Sequence, residues 1–366
     1  MAIFLLFIIP LTLKFPYPML SFFKRKIVFT FLGGAVLTTN NDKYAVTREN
    51  FDSLSSFRHD SRHSLGWECL FALPEWLKVW WAAFGNFSEL SILSVREREE
   101  VLGLAPLQVK GDSASFIGST DVCDYLDFII TPGKERVFFD ALLDHLGQQG
   151  IKYLEFGLLR PDSTVLASLV NVAENRGCEV STSPADISLE LELPATWENF
   201  LSMLKGKQRH EVKRKFRRLY EAGDINFRIV ENAKEIAEQM PTFFSLFKIS
   251  NNAKAAFMND QMISFFQALA IAMAEAKILK LYILDLNAAP VAVSMCFDFN
   301  AALHLYNSGF DPRFRALSVG LLCKVLSIKD GIKRGRKKYD FLKGAETYKY
   351  RLGGREVPLY NCRIRL

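Results

Sequence analysis

The chain has 366 residues, about two to three times the length of a typical domain, so two domains are the first expectation. Apolar residues make up 49% and charged residues 23% of the chain, a composition that excludes general disorder. The six cysteines are scattered without a Cys-x-x-Cys pair, and the five histidines lack a third ligand nearby. The sequence therefore predicts neither a disulfide framework nor a metal site.

The net charge of +6 is concentrated in two short segments. Residues 205–218 hold eight Lys or Arg against one acid, and residues 329–338 hold six against one. The rest of the chain is acidic, with 32 basic and 38 acidic residues. Such clusters favour a phosphate-bearing partner, such as coenzyme A, tRNA or an anionic membrane surface. A solvated helix face is the alternative interpretation of each cluster.

Residues 1–43 form an apolar and basic N-terminal extension. The first thirteen residues are almost wholly apolar but too short to span a membrane. Residues 24–26 are basic and precede an apolar run over 27–37, as in a signal peptide, yet no clean cleavage signal follows. We predict a cytoplasmic protein. The extension is a tether to a membrane surface, a signal segment, or the result of a translation start assigned too far upstream.

Two parts of the chain show the same order of elements. In each, two apolar runs joined by a short turn predict a hairpin, at 89–109 and at 278–299. A helix and a short strand then follow, at 134–156 and at 318–341. We therefore predict a mixed α/β fold built from two tandem domains, 44–185 and 186–366, each a mostly antiparallel sheet flanked by helices.

The segment between the repeated parts opens the second domain. Residues 187–193 alternate strictly between apolar and polar, which predicts a half-buried strand. A helix is predicted over 196–222, with Thr196 as its N-cap and the first basic cluster on its outer face. A strand at 226–230 and two amphipathic helices, 232–249 and 259–276, complete the prediction.

The turn after the predicted strand 302–310 has the character of an anion site. A helix begins near Ser318, and the free N–H groups of its first turn point off the end of the strand. An ordinary helix start is the alternative. The residues predicted to contact a pyrophosphate are Arg313, Arg315, Ser318, Val319, Gly320 and Leu321.

These elements carry a family resemblance. Antiparallel strands, an R-x-x-S-x-G turn over 315–320, a helix and a further strand resemble the acyl-CoA-binding core of the GNAT acyltransferase superfamily. Ser318 stands where the family motif R/Q-x-x-G-x-G/A has its first glycine, and Val319 stands where proline is common. The resemblance implies two tandem GNAT-like domains, with acetyl-CoA or another acyl-CoA as co-substrate of the second.

Four further strings resemble the CelD-type acetyltransferases associated with cellulose and exopolysaccharide synthesis. They are FALPEWLKVWWAAFG at 71–85, DVCDYLDFIITPGKE at 121–135, KGKQRHEVKRKFRRL at 205–219 and DFLKGAETYKYRLG at 340–353. The resemblance thus spans residues 44–366. These proteins are similar in plan to the Fem-type aminoacyl-tRNA transferases, which carry two GNAT-like domains.

The resemblance implies acyl transfer by direct attack of a nucleophile on a thioester. Asp340 or Glu346 would accept the proton of an amine, Tyr348 would protonate the leaving thiolate, and Lys349 would stabilise developing negative charge. The alternatives are a helix or loop cap for Asp340, an ion pair between Glu346 and Lys349, and packing for Tyr348.

We therefore predict an acyl-CoA-dependent N- or O-acyltransferase acting on a sugar, glycan or polysaccharide precursor. A Fem-type transferase that uses aminoacyl-tRNA and a catalytically silent binding module are the alternatives. In the first domain, Trp76, Trp80 and Trp81 are interpreted as core residues rather than a sugar platform. Asp124, Tyr125 and Asp127 are interpreted as strand-end hydrogen-bonding groups, with acceptor binding as the alternative.

Overall fold

The structure, a computed structural model, describes residues 43–366, which form one mixed sheet of thirteen strands with helices on both faces. The strands are β1 Tyr44–Glu49, β2 Glu89–Glu97, β3 Glu100–Lys110, β4 Ser113–Phe116, β5 Ile129–Ile130, β6 Tyr153–Leu159, β7 Glu179–Glu192, β8 Ile225–Val230, β9 Leu279–Leu286, β10 Ala289–Phe299, β11 Ala302–Phe310, β12 Lys338–Lys343 and β13 Arg355–Arg365.

Eleven α-helices accompany the sheet in the described part of the chain. They are α1 Phe51–His59, α2 Pro74–Phe84, α3 Glu135–Gln148, α4 Val170–Asn175, α5 Trp197–Met203, α6 Gly206–Glu221, α7 Ala233–Ser250, α8 Asn252–Phe257, α9 Asp260–Glu275, α10 Val319–Lys333 and α11 Thr347–Arg351. The predicted extension 1–43 lies outside the described residues except for Lys43.

The strand pairings confirm the predicted repeat of one α/β unit. In the first half, β2, β3 and β4 pair antiparallel, and α3 then leads to β6, which is parallel to β4. In the second half, β9, β10 and β11 pair antiparallel, and α10 leads to β12, which is parallel to β11. An additional strand, β1 or β8, completes the outer edge of each half.

Two strands connect the halves into one sheet. The last strand, β13, pairs with β6 of the first half, whereas β7 pairs with β12 of the second half, and β7 and β13 pair with each other. The predicted boundary at 185/186 therefore falls inside β7. The halves are joined by a continuous strand there and not by a linker.

The core lies on both faces of the sheet. One face packs against α2, α7 and α9. Of the three tryptophans interpreted as core residues, Trp76 and Trp80 are buried in this face, and Trp81 is partly buried against it. The other face, in the second half, packs against α10 and α6. No helix among residues 43–366 is both long and apolar enough to cross a membrane.

The predicted single helix over 196–222 is wrong in one respect, because the structure divides it into α5 and α6. Thr196 is the N-cap of α5, as predicted, and its side chain accepts a hydrogen bond from the Asn199 N–H. Leu204 and Lys205 then adopt extended backbone angles. Leu204 is buried in the core below, and the adjacent Gly206 is a poor helix former, so the chain breaks there.

Candidate functional site

A cleft opens where two parallel strands of the second half separate. Strands β11 and β12 pair only from Ala302 with Lys338 to His304 with Asp340. Beyond that point the two strands diverge, and a cavity of about 370 Å³ lies between their ends and the α7–α8 region. We call this cavity the strand cleft. Its lining includes Asp121, Asp124, Lys254, Tyr306, Phe341, Lys343, Glu346, Tyr348 and Lys349.

Two irregularities keep the strands apart. In β11, Tyr306 is an extra residue, because Met295 of β10 is opposite Asn307 while Cys296 is opposite Leu305. In β12, Leu342 has a φ of 59°, a left-handed conformation that is strained for a residue with a side chain. A carboxylate oxygen of Asp340 accepts the Leu342 N–H at 2.7 Å and thereby holds this conformation. The pairing is interrupted at this point, which is a common device beside functional sites.

Lys349 secures the end of β12. Its side chain is 3% exposed, and its ammonium group donates to the carbonyls of Leu342, Lys343 and Gly344 at 3.0, 2.6 and 2.9 Å. Glu346 lies 2.8 Å from the same nitrogen. An ammonium group has three hydrogens, so these carbonyls engage all of them. These contacts hold the end of β12 in place, and the role of Lys349 in stabilising transition-state charge stays a prediction.

Asp340 lies away from the strand cleft. Asp340 is only 1% exposed. Its carboxylate accepts hydrogen bonds from the Tyr125 hydroxyl at 2.8 Å, the Ser188 hydroxyl at 3.4 Å and the Leu342 N–H. The structure thus brings Glu346, Tyr348 and Lys349 together but places Asp340 on the other side of β12. With three donors bound, its carboxylate is a positioning group for Leu342.

Asp124, which comes from the first half, lines the strand cleft. The Lys343 N–H approaches its carboxylate at 3.4 Å, and the Tyr306 hydroxyl donates to the adjacent Val122 carbonyl at 2.9 Å. Burial raises the pKa of Asp124 to about 6, and the Lys343 charge opposes this shift. A carboxylate with such a pKa is suited to accept a proton near neutral pH. The acid-rich string around Asp124 was the only sequence signal of this placement.

Cations and one phenol complete the strand cleft. Lys254 donates to the Ser308 carbonyl of β11, and burial, with the charge of Lys324, lowers its pKa to about 8. Burial raises the pKa of the Tyr348 hydroxyl, which therefore stays protonated at neutral pH. The Lys324 ammonium lies 5.1 Å from the centre of the Tyr348 ring. The cleft thus offers a proton donor, a carboxylate and positive charge within one cavity.

The predicted anion-binding turn lies at the start of α10. Ser318 has a left-handed φ of 58°, and α10 begins at the buried Val319. The first N–H groups of a helix have no partner within it, and those of Val319 and Gly320 accordingly have no acceptor among the described residues. Lys215 of α6 reaches this turn and donates to the Ser318 hydroxyl at 3.0 Å. The sequence did not single out Lys215.

The other predicted cofactor-binding residues differ in availability. Arg313 and Arg315 are both exposed. The Arg313 side chain forms an ion pair with Asp311 at 2.6 Å. The Leu321 N–H is already bound to the Ser318 carbonyl at 3.0 Å. Gly320 is packed, because a Cβ atom added to it would lie 2.9 Å from the Phe310 ring. A larger residue at 320 would therefore disturb packing as well as anion approach.

The first half has a reduced version of the same cleft. Its strand β6 carries a bulge opposite β13, and Leu158 in that bulge has a φ of 54°, as Leu342 has in β12. The residue before the bulge is the buried Phe156 where β12 has Asp340. The cavity there measures about 80 Å³. The backbone conformation of the cleft is thus repeated in the first half. The volume of the cavity and the carboxylate at the position of Asp340 are not.

Comparisons with known proteins agree with this geometry. Residues 206–350 match the family model described as an acetyltransferase (GNAT) domain. A crystal structure of FemX superposes with a TM-score of 0.59 at 12% identity, covering 87% of this chain and 96% of that one. A conserved protein of unknown function from Bacteroides thetaiotaomicron VPI-5482 gives a TM-score of 0.56 at 12% identity, covering 88% and 99%. No curated protein matches the chain.

The strand order and the family match define the class of fold. Residues 206–350 of the second half match a GNAT acetyltransferase domain model, and the chain has a GNAT-like fold. At 12% identity, the two solved structures show the fold alone.

Proposed function

We propose that this protein transfers an acyl group, such as acetyl, from coenzyme A to an amine or hydroxyl of a sugar, glycan or polysaccharide precursor. The observation that carries the proposal is the strand cleft, together with the anion-binding turn over residues 315–320 of the same half, which has free N–H groups. We call this turn the phosphate turn. An acyl-CoA has a pyrophosphate at one end and a thioester at the other. The α10 N-terminus would bind the pyrophosphate, and the gap between β11 and β12 would receive the thioester.

The proposed reaction needs a base and an acid but no acyl-enzyme. The acceptor attacks the thioester carbonyl, a C–N or C–O bond forms, and the C–S bond breaks to release the CoA thiolate. Asp124 takes the proton of the acceptor, directly or through water, with Glu346 as the alternative base at the mouth of the cleft. Tyr348 donates its proton to the thiolate. Asp340 and Lys349 hold the end of β12 in the conformation on which this geometry depends.

The charge at the phosphate turn provides a direct test of donor binding. We expect Lys215→Gln to weaken acetyl-CoA binding about tenfold, because a half-buried ammonium beside Ser318 would contact the pyrophosphate. The measurement is isothermal titration of the full chain. The control is Lys213→Gln, which removes an exposed lysine from the same helix, α6. Equal affinity in the two variants would mean that the pyrophosphate lies elsewhere.

One observation favours the aminoacyl-tRNA alternative. Lys205, Lys207 and Lys213 are exposed at the start and along the outer face of α6, where they would suit a nucleic-acid backbone. The cluster at 329–338 suits a nucleic-acid backbone less well, because its Arg334, Arg336 and Lys338 already pair with acidic residues at 2.5 to 2.7 Å.

Thermal stabilisation distinguishes the three functions. Acetyl-CoA is expected to raise the melting temperature of the full chain, and uncharged and aminoacylated tRNA are not. Stabilisation by aminoacyl-tRNA alone would replace the proposal with a Fem-type transferase. Stabilisation by neither donor would favour a binding module.

A further inference from the structure

A second cavity lies between the two halves of the chain. It measures about 490 Å³ and shares no lining residue with the strand cleft. The first half contributes Asp127 and Arg160, whereas Glu190 and His304 come from β7 and β11. We call it the inter-half cavity. Among the side chains that face it, the proposed acyl transfer uses only Asp340, which positions the end of β12.

His304 offers a hydrogen-bond acceptor to this cavity. The residue is 7% exposed, and its Nδ1 lies 3.2 Å from the Phe297 carbonyl. A carbonyl oxygen only accepts, so Nδ1 carries the hydrogen and Nε2 carries the lone pair. Burial lowers the pKa of His304, which keeps the ring neutral. No side chain among residues 43–366 donates to Nε2, so its lone pair is available to a ligand in the cavity that His304 lines.

The charge of the inter-half cavity is strongly negative. Seven carboxylates line it against three cationic side chains. Arg160 and Lys338 bind the same carboxylate, Glu190, at 2.5 and 2.7 Å. Five carboxylates have no Lys or Arg partner among the described residues, namely Glu68, Asp127, Glu135, Glu192 and Asp340. Burial raises the pKa of Asp127 to about 6, as expected for a carboxylate without a countercharge.

We infer that the inter-half cavity binds a small protonated amine that carries hydroxyl groups, with His304 Nε2 accepting a hydrogen bond from the ligand. The excess of carboxylates favours a cation over an anion or a neutral sugar. A metal ion is the wrong cation, because no three potential ligands converge among residues 43–366. The volume suits a molecule of about the size of an amino sugar.

The test uses the full chain without any acyl-CoA, so its result is independent of the proposed transferase activity. Glucosamine is titrated calorimetrically, with glucose as the neutral match and spermidine as a second amine. We expect saturable binding of glucosamine that is at least tenfold tighter than that of glucose. Failure of both amines to bind, or equal binding of glucose, would overturn the inference.

Two variants locate the binding site. His304→Phe keeps an aromatic ring but removes the lone pair, and we expect at least tenfold weaker glucosamine binding. His210→Phe, at an exposed position on α6, is the matched control and should bind as the wild type does. Glu192→Gln changes an exposed strand end, which should not affect folding, and is expected to weaken binding several-fold. Wild-type affinity in both His304→Phe and Glu192→Gln would overturn the inference.

Discussion

Replacing Lys349 with methionine is expected to lower both the stability of the protein and its turnover. The substitution leaves the buried Leu342 carbonyl and the partly buried carbonyls of Lys343 and Gly344 without the ammonium that now binds them. Hydrogen bonds to charged groups contribute roughly 1.5–3 kcal/mol, and unsatisfied buried acceptors add a penalty, so we expect a loss of about 3 kcal/mol in the free energy of unfolding. The end of β12 also loses its position, and kcat should fall on the order of 100-fold.

Urea unfolding and steady-state kinetics with any accepted amine measure these two effects. Lys329→Met provides the control, because it removes an exposed lysine of α10 that does not line the strand cleft. The control should lie within about 0.5 kcal/mol of the wild type. A Lys349→Met variant with wild-type stability would show that the three carbonyl contacts do not hold the strand end.

Asp124→Asn is expected to reduce kcat by roughly 100- to 1,000-fold with little change in the KM for the acyl donor, because it removes a general base and no donor contact. The wild-type rate should rise with pH through about 6, where the Asp124 carboxyl loses its proton. The variant should lack that step. These are kinetic signatures that a purely structural role would not produce.

Stability provides an independent check on Asp124. Its pKa is higher in the folded chain than the usual value for an aspartate, so the folded state holds the proton more tightly. Ionisation therefore costs stability as the pH rises from about 4 to above 6, and Asp124→Asn should be no less stable than the wild type at pH 7.5. Asp121→Asn, an exposed acid of the same cleft, is the control. Persistence of the pH step in Asp124→Asn would assign the base to another group, with Glu346 the next candidate.

The repeated α/β unit was predictable from the sequence, because hydrophobic periodicity and turn residues are local signals. The hairpins, the helices α3 and α10 and the strands β6 and β12 lie where those signals placed them. The exchange of β7 and β13 between the halves was not predictable. Pairing between strands far apart in the chain depends on tertiary contacts that no local pattern records.

The candidate site was predictable only in part, and for the same reason. The string at 340–353 indicated Glu346, Tyr348 and Lys349, which do meet in one cleft. Asp124 and Lys343 are 219 positions apart, and Tyr125 and Asp340 are 215 apart, so their contacts appear only in the folded chain. The role of Lys349 depends on the left-handed backbone of Leu342, which the residue type itself does not suggest.

The stoichiometry of acetyl-CoA binding tests the central claim most directly. The second half has the open cleft and the phosphate turn, whereas the corresponding cavity of the first half measures only about 80 Å³. Calorimetric titration of the full chain should therefore give one saturable acetyl-CoA site per chain, weakened by Lys215→Gln. Two equivalent sites, or no saturable binding, would contradict the assignment of the donor site to the second half.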